Sequence, residues 1–362
     1  MDQERRATIK DVARAAGCGI ATASRVLNGS GPASADVRAR VETAARDLGF
    51  SFSAIGRALQ GGRSMTIGCL VPSLANPVFA EAVQGAQEVL AGTGYQLLIA
   101  CSNYDGEADN EAIATLLAKE VDGLIVTMVA PECSGALKLA RQRGVPVSLM
   151  FHDPIDGLPT AYVDNFEAAR DVARHFADLG HRNTAFLALR FSGSDRSRNR
   201  YAGFQAECGA RGLPDPALIE LGEAEANTPE VLADILAPLA GLTAVFASND
   251  FLAIAVQKAA RLMGKRVPRD LSVMGFDGIE IGRLLDVPLA TIETASEAMG
   301  RQAAQTLLDL MQGKDAVQAP PLPFTFRAGA TLARPRMESR DDDQVAPWPP
   351  SVHSLNTSLK QG

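Results

Sequence analysis

The chain has 362 residues, 46% of them apolar, which is enough for sizeable cores in two or three domains. Its five cysteines, at 18, 69, 101, 133 and 208, form no C-x-x-C and have no histidines at zinc spacing, so they exclude a zinc module and read as buried apolar thiols in a reducing cytoplasm. The first residues, M-D-Q-E-R-R, lack an apolar core and no run is long enough to span a bilayer, so neither a signal peptide nor a membrane helix is expected. Charge divides unevenly along the chain. Residues 1–64 hold ten Lys and Arg against six Asp and Glu, a net of +4, which leaves −11 for the rest of a chain whose total is −7. A basic head on an acidic body is the distribution expected when only the head faces phosphates.

The first predicted elements are two short helices meeting at a glycine, in I-K-D-V-A-R-A-A-G-C-G-I-A-T-A-S-R-V-L-N from Ile9 to Asn28. Ile9, Val12, Ala13 and Ala16 fall on one helical face, and Gly17 stands where the chain must turn tightly. In the second helix Ala23, Val26 and Leu27 form the inward face, and small Ala13 lets that helix approach closely. Ile20, Ala21, Thr22, Ser24, Arg25 and Asn28 point elsewhere. Short polar groups and one arginine suit a DNA major groove, where Arg bonds guanine bidentately and Thr or Ser bonds bases or phosphates. On spacing alone an ordinary αα-corner fits equally well.

Ser34 is placed to cap a third helix carrying Val37, Val41, Ala44, Ala45 and Leu48 on one face, with Gly49 ending it. S-A-I-G-R-A-L-Q, residues 53–60, is too short to be a stable isolated helix and is followed by Gly61 and Gly62. From Met65 the pattern changes. M-T-I-G-C-L-V, Y-Q-L-L-I-A, D-G-L-I-V-T and V-P-V-S-L-M read as strands buried on both faces, alternating with helical segments such as 79–90 and 113–119. A second series begins near Ala161, with strands N-T-A-F-L-A-L, T-A-V-F-A-S and L-S-V-M-G-F and helices near 166–179, 200–210 and 252–263. Both series are βαβ patterns and imply parallel sheets, so the fold class is α/β behind an all-α head. After Arg334 the charge and proline of P-R-M-E-S-R-D-D-D-Q-V-A-P-W-P-P predict a disordered tail without an apolar heptad.

Ligands of parallel α/β domains bind at the carboxyl ends of the strands. Four places just past apolar runs carry suitable groups: 77–79, Arg200 opening the helix after N-T-A-F-L-A-L, Asn249 and Asp250, and Asp277. Arg200 fits a structural salt bridge as well as a ligand, Phe79 fits a core as well as a cleft, and Asp250 reads as a helix N-cap.

The wording of these segments is more specific than their spacing. D-V-A-R-A-A-G, A-T-A-S-R-V-L-N-G, the segment ending L-G-F, T-I-G-C-L-V-P-S-L-A-N-P-V-F-A-E, V-D-N-F-E-A-A-R, S-N-D and V-M-G-F-D-G stand in one order over residues 8–334. They resemble the lactose-repressor (LacI/GalR) family of bacterial transcription regulators. The resemblance implies a helix-turn-helix DNA-binding domain at 1–52, a hinge helix and linker at 53–63, a two-lobed, periplasmic-binding-protein-like core of parallel sheets flanked by helices at 64–336, and a tail at 337–362. It implies that the chain crosses three times between the lobes, so that the helix near 299–311 returns to the first. DNA contacts would come from Thr8, Ile20, Ala21, Thr22, Ser24, Arg25, Asn28 and Ser53, with Leu59 as the hinge leucine that wedges into the minor groove. Effector contacts would come from Arg200 and Asp277 gripping sugar hydroxyls, Phe79 stacking on the ring and Asn249 adding a hydrogen bond.

Departures from the family pattern are local. Cys18 and Gly19 stand where Val and Ser are usual, Ala23 replaces a larger apolar residue, and Phe52 and Ser53 replace Pro-Asn before the hinge. Relatives commonly carry an aspartate directly after the strand that here reads S-L-M-F-H-D; Phe151 takes that place, and a one-residue shift of the loop would let Asp153 substitute. His152 and the arginines of D-R-S-R-N-R lean mildly toward an acidic ligand.

No G-x-S-x-G, P-loop, H-E-x-x-H or post-strand G-x-G-x-x-G occurs, so no catalytic residue, metal or cofactor is expected, and His181 in L-G-H-R reads as structural. The resulting expectation is a cytoplasmic, nucleoid-associated, homodimeric regulator, a repressor of carbohydrate or sugar-acid genes on a pseudo-palindromic double-stranded operator, with a sugar or sugar acid as effector and no membrane partner. The alternatives are a periplasmic-type sugar-binding protein and a sugar-modifying α/β enzyme.

Gly56 stands in mid-hinge, where relatives commonly carry alanine. Glycine in a helix interior costs about 1 kcal/mol relative to alanine, and a dimer holds two copies. If the hinge is helical only on the operator, Gly56→Ala should tighten operator binding by about tenfold. Titrations of both proteins at one salt concentration test this, and equal affinities would mean that residues 53–60 are a tether.

Overall fold

The computed structural model describes residues 7–28, 32–50, 63–315 and 317–336, so Ser53, Gly56, Leu59 and the tail from 337 fall outside the described residues. The chain divides into two compact units at Met65 and Thr66.

The first unit is a three-helix head made of α1 (Ile9–Ala15), α2 (Ile20–Asn28) and α3 (Ala35–Asp47). Asp11 opens α1 by accepting from both the N–H and the hydroxyl of Thr8, at 2.9 and 2.6 Å. Ser34 caps α3, accepting from the Val37 N–H at 3.4 Å. Gly17, at φ +61°, turns the chain between the first two helices. The core beneath is small, built from Val12, Ala13, Ala16, Ala23, Val26, Val41, Ala44 and Ala45. The inward faces expected from helical spacing are the faces that are buried or half-buried, except at Leu48, which the spacing places inward but which follows the last residue of α3 and is 41% exposed.

In the second unit β1 (Thr66–Val71), α4 (Pro77–Leu90), β2 (Gln96–Cys101), α5 (Gly106–Ala118), β3 (Gly123–Val126), α6 (Gly135–Gln142), β4 (Val147–Met150) and the two-residue β5 (Thr160–Ala161) make the first lobe. Its sheet is parallel throughout, in the order β2-β1-β3-β4-β5. The chain then crosses into α7 (Asn165–Leu179), β6 (Thr184–Leu189), α8 (Asp195–Ala210), β7 (Ala217–Leu221), α9 (Pro229–Leu236), β8 (Ala244–Ala247), α10 (Asp250–Leu262), β9 (Ser272–Asp277) and β10 (Ala290–Thr294). It returns as α11 (Ser296–Met311) to pack on α4, and crosses a third time to end in β11 (Phe324–Arg327). The second sheet runs β11-β10-β9-β8-β6-β7 and is parallel except at β11, which pairs antiparallel with β10.

Strands β1, β3, β4, β6, β8 and β9 are buried along almost their whole length, as continuous apolar runs covered on both faces require. Strand β2 is the exception: it sits at the sheet edge, pairs only with β1, and exposes Gln96, Leu98, Ile99 and Cys101. The expectation of five buried thiols is corrected likewise. Cys69 and Cys208 are buried, Cys18 is half-buried, and Cys101 and Cys133 are exposed. Strand period and apolar content cannot distinguish a central strand from an edge strand with an apolar outer row.

The crossing helices need small residues at their contacts. Gly300 on α11 lies so close to α4 that a Cβ there would overlap the carbonyl oxygen of Ala82, and Gly85 meets Glu297 in the same way. Gly203 on α8 stands against the backbone of Phe166 on α7 in the second lobe. Overpacking of this kind forces backbone shifts costing about 1–3 kcal/mol. Gly300→Ala should therefore lower the unfolding free energy of the core by at least that amount, read as a lower urea midpoint. Gly135→Ala, where an added Cβ meets nothing within 4 Å, should leave the midpoint nearly unchanged in the same denaturation series.

Candidate functional site

On the head, α2 separates its residues as an amphipathic helix must. Ala23 and Val26 are buried, Thr22 and Ser24 are half-buried, and Ile20, Ala21 and Arg25 are exposed, Ile20 by 49%. The Arg25 Nε donates to the Ala21 carbonyl at 3.3 Å, laying the guanidinium along the helix surface. Asn28 is the last residue of α2, and Thr8 caps the helix before it.

Within the second unit a cleft of ≈ 600 Å³, counting its open mouth, lies between the two lobes at the carboxyl ends of their strands. A volume of that order is usual for a small-molecule site. Phe79, Arg200, Asn249 and Asp277 line it together, joined by Asn76, Tyr104, Phe151, Arg190, Arg196, Ser197 and Ser248. Asp153 does not. Phe151 takes the wall position, and Asp153 accepts a hydrogen bond from the Asn199 side chain instead.

The apolar wall comes from the first lobe. Phe79, 3% exposed, meets Phe151 edge-on at 5.0 Å between ring centroids and Tyr104 at 6.2 Å. Eight non-glycine residues among those described have positive φ, and four of them line the cleft: Tyr104 (+62°), Phe151 (+67°), Arg190 (+49°) and Asp277 (+111°). Each lies at or just beyond the end of a strand, where the chain leaves the sheet. Left-handed backbone in bulky residues costs of order 1–3 kcal/mol apiece and concentrates at ligand clamps.

The polar wall comes from the second lobe and is held from behind. The Arg200 Nε donates to Asn165 Oδ1 at 2.9 Å, Nη1 donates to the Ser248 carbonyl, and the guanidinium carbon sits 3.5 Å from the centroid of Phe276. Its Nη2 is 3.7 Å from Asp277 Oδ1. Burial lowers the Arg200 pKa to about 10 although Asp277 opposes the shift, and burial raises Asp277 to about 6 against the pull of Arg200 and a hydrogen bond to Asn76. Desolvation thus exceeds the mutual attraction on both sides of a loose pair. A ligand hydroxyl placed between the two could donate to Asp277 and accept from Arg200.

Asn249, not Asp250, caps α10, accepting from the Leu252 N–H at 2.8 Å. Asp250 is a buttress: Oδ2 accepts from the N–H groups of Gly278 and Ile279 at 2.9 and 2.8 Å, and Oδ1 accepts from the Thr291 hydroxyl at 2.6 Å. Gly275 has no room for a Cβ beside that carboxyl. Arg327 donates from the other side to the carbonyls of Gly278 and Ile279, at 2.8 and 2.9 Å. The loop that carries Asp277 is therefore fixed by two charged side chains, each from a different element. Burial, with Asp277 close by, raises the Asp250 pKa to about 7.

Several side chains tie the lobes together across the cleft. His152 is fully buried; its Nε2 accepts from the Met128 N–H at 3.1 Å, which leaves Nδ1–H to donate to Asp195 Oδ2 at 2.7 Å. Although burial alone would raise it, Asp195 is held far below the usual carboxyl range by Arg196 and by this hydrogen bond. The Arg190 Nη1 donates to the Asn103 carbonyl at 2.6 Å, and its guanidinium lies over the Tyr104 ring. Helix α8 begins at Asp195 rather than at Arg200, so Arg196 and Arg200, one turn apart, share the cleft face while Arg198 is exposed. That one-turn spacing was visible in D-R-S-R-N-R; nothing in the sequence marked Tyr104 or Arg190. His181 is structural, hydrogen-bonded to Thr243, Ser272 and the Ala333 carbonyl, and burial lowers its pKa to about 4.

The three-helix head and the two-lobed core both have counterparts among known proteins. Residues 8–52 match the family described as bacterial regulatory proteins, lacI family, and residues 173–331 match a periplasmic binding protein-like domain. The HTH-type transcriptional repressor CytR of Escherichia coli (strain K12) is 32% identical over 327 residues, covering 86% of this chain and 92% of that protein. The chain belongs to the LacI family. The ribose operon repressor of Escherichia coli (strain K12) is 31% identical over 305 residues, 83% of this chain and 92% of its own length. A crystal structure of the lac repressor dimer bound to operator and the anti-inducer ONPF superposes with a TM-score of 0.79 at 27% identity, over 91% of this chain and all of that one. As a LacI-family protein the chain is a DNA-binding transcriptional regulator with an effector-binding core, and it is not an enzyme. No helix among the described residues is long and apolar enough to cross a membrane.

The raised Asp277 fixes the sign of a pH effect. A carboxyl whose folded pKa lies above its unfolded value stabilises the fold at low pH, and that contribution is lost as pH rises from about 4 through about 6. Asparagine does not titrate. Asp277→Asn should therefore gain stability relative to wild type between pH 5 and pH 8 while its effector response weakens at every pH. Urea melts at pH 5, 6.5 and 8 check the slope, and a stability difference independent of pH would contradict it.

Proposed function

We propose that this LacI-family regulator is a repressor that binds a pseudo-palindromic operator as a homodimer, acts in the cytoplasm on the nucleoid, and changes its operator affinity when a sugar or sugar acid occupies the interlobe cleft. The observation that carries the reading is that one chain joins a helix with an exposed Ile20, Ala21 and Arg25 to a cleft where a guanidinium and a carboxylate stand 3.7 Å apart. The relatives point the same way: CytR is a named repressor, another governs a ribose operon, and the lac repressor is a dimer on its operator. Two-fold protein symmetry selects two-fold DNA, so each dimer should place two copies of α2 in successive major grooves. Thr8, Thr22, Ser24 and Asn28 would accompany Arg25 in the head, with Ser53 and Leu59 following in the hinge. Phe79, Asn249, Arg200 and Asp277 would hold the effector, with Asp153 acting from outside the wall through Asn199. A bound effector can shift operator occupancy only by its differential affinity for the two states of the core.

Selection of random duplexes by the full-length protein would yield the operator. On that operator Arg25→Ala should cost about 1–3 kcal/mol, the loss of a base or phosphate contact. Affinity should also fall steeply with salt, as phosphate contacts require. Unchanged operator binding by Arg25→Ala at physiological salt would remove α2 from the interface.

A further inference from the structure

Arg196 is the one cleft guanidinium with a side-chain nitrogen that is buried and makes no hydrogen bond among the described residues. The residue is 9% exposed, lines the cleft, and leaves its Nη1 without a hydrogen-bond partner. The nearest carboxylate does not serve it. Asp195 Oδ1 lies 3.6 Å from that nitrogen and accepts from the Arg196 backbone N–H at 2.9 Å, while Oδ2 is taken by His152 at 2.7 Å. Arg200, one turn further along α8, has its own acceptors in Asn165 Oδ1 and the Ser248 carbonyl. A buried charged donor without an acceptor is costly, so the site is completed by whatever brings one.

The chemistry of the missing acceptor follows from the rest of the wall. Charged residues lining the cleft are Arg190, Arg196 and Arg200 against Asp277 alone. The Arg200 and Asp277 pair already offers a donor and an acceptor for hydroxyl groups. A second guanidinium with no carboxylate oxygen to spare beside it matches a group that only accepts: carboxylate and phosphoryl oxygens do so, whereas a hydroxyl also brings a proton that needs an acceptor. The rings of Phe79, Tyr104 and Phe151 supply an apolar wall for the carbon skeleton.

We propose that the cleft binds a hydroxylated small molecule bearing an anionic group, and that Arg196 is the specificity-determining residue that donates to the anion and so favours it over the neutral sugar. The proposal rests on the reading of the cleft as the effector site and narrows the class of effector. Arg200 and Asp277 bracket hydroxyls on the skeleton, and Arg196 receives the carboxylate or phosphoryl oxygen.

The test uses the full-length protein and matched compounds sharing one skeleton: glucose, gluconate, glucuronate and glucose 6-phosphate, with the corresponding galactose and ribose sets. Calorimetry reads affinity, and operator titration reads the response. In at least one set an anionic member should bind tenfold or more tighter than its neutral parent, the margin of a lost charge-assisted hydrogen bond. The acid and phosphate arms then show which anion the site takes. Arg196→Gln should erase the preference while leaving the neutral parent's affinity within about twofold, and Arg196→Lys, which keeps the charge, should restore part of it. Neutral sugars binding as tightly as their acids would overturn the proposal, as would a preference that survives Arg196→Gln or a panel in which no anion binds saturably. A neutral sugar that alters operator binding at a lower concentration than its acid or phosphate would sink the anion inference alone, whereas a protein that selects no operator would sink the regulator reading beneath it.

Discussion

A guanidinium buried at the carboxyl ends of the central strands of the second sheet organises this core. Arg200 reaches from α8 to Asn165 at the start of α7, to the Ser248 carbonyl at the end of β8, and over the ring of Phe276 in β9. Four elements far apart in sequence are thereby held in register around one charge. Asp277 is close enough to offset that charge but, at 3.7 Å, too far for a tight pair, and the pKa of each is displaced toward the neutral state. Such a pair contributes little to folding, since desolvation cancels most of the attraction. What it provides is two polarised groups facing a cleft, held there by neighbours that are themselves satisfied.

The cleft is rigid on its polar side and strained on both. Asp250 and Arg327 hold the loop of Asp277 between them: Asp250 accepts from the Gly278 and Ile279 N–H groups and from the Thr291 hydroxyl, and Arg327 donates to the Gly278 and Ile279 carbonyls. Left-handed backbone at Tyr104, Phe151, Arg190 and Asp277 places four side chains into one space where ordinary strand exits would turn them aside. The surrounding packing supports that cost, with Phe176, Phe186, Phe204 and Phe246 filling the second lobe beneath the site. Cross-lobe contacts such as His152 with Asp195 and Arg190 with Asn103 connect the two walls directly. A ligand that touches both walls therefore acts on the same contacts that set the spacing of the lobes.

The head relies on a different kind of economy. Its core is eight small or medium apolar side chains, five alanines and three valines, and α2 buries only Ala23 and Val26 beneath an exposed outer face. A small core permits short helices to pack closely, and it leaves nearly all the larger or charged groups of α2 on the surface that a groove can read.

By itself the sequence determined two short helices meeting at Gly17, the central strands of both sheets, and the placing of Asn249 and Asp277 at strand ends. All of these follow from local periodicity, apolar run length and the rule that parallel strands present their carboxyl ends to ligands. The order of motifs also carried the family, and with it the three crossovers that no local pattern contains. Only the tertiary structure decided that β2 is an exposed edge, that β5 and the antiparallel β11 complete the sheets, and that Asn249 caps α10 while Asp250 braces a loop. It also decided that Phe151 rather than Asp153 stands at the wall, and that Tyr104, Arg190 and Arg196 join it. The reason is physical: which way a side chain faces at a strand exit depends on backbone angles fixed by partners from other elements, and those partners lie far away in sequence, as Asn103 lies 87 residues from Arg190.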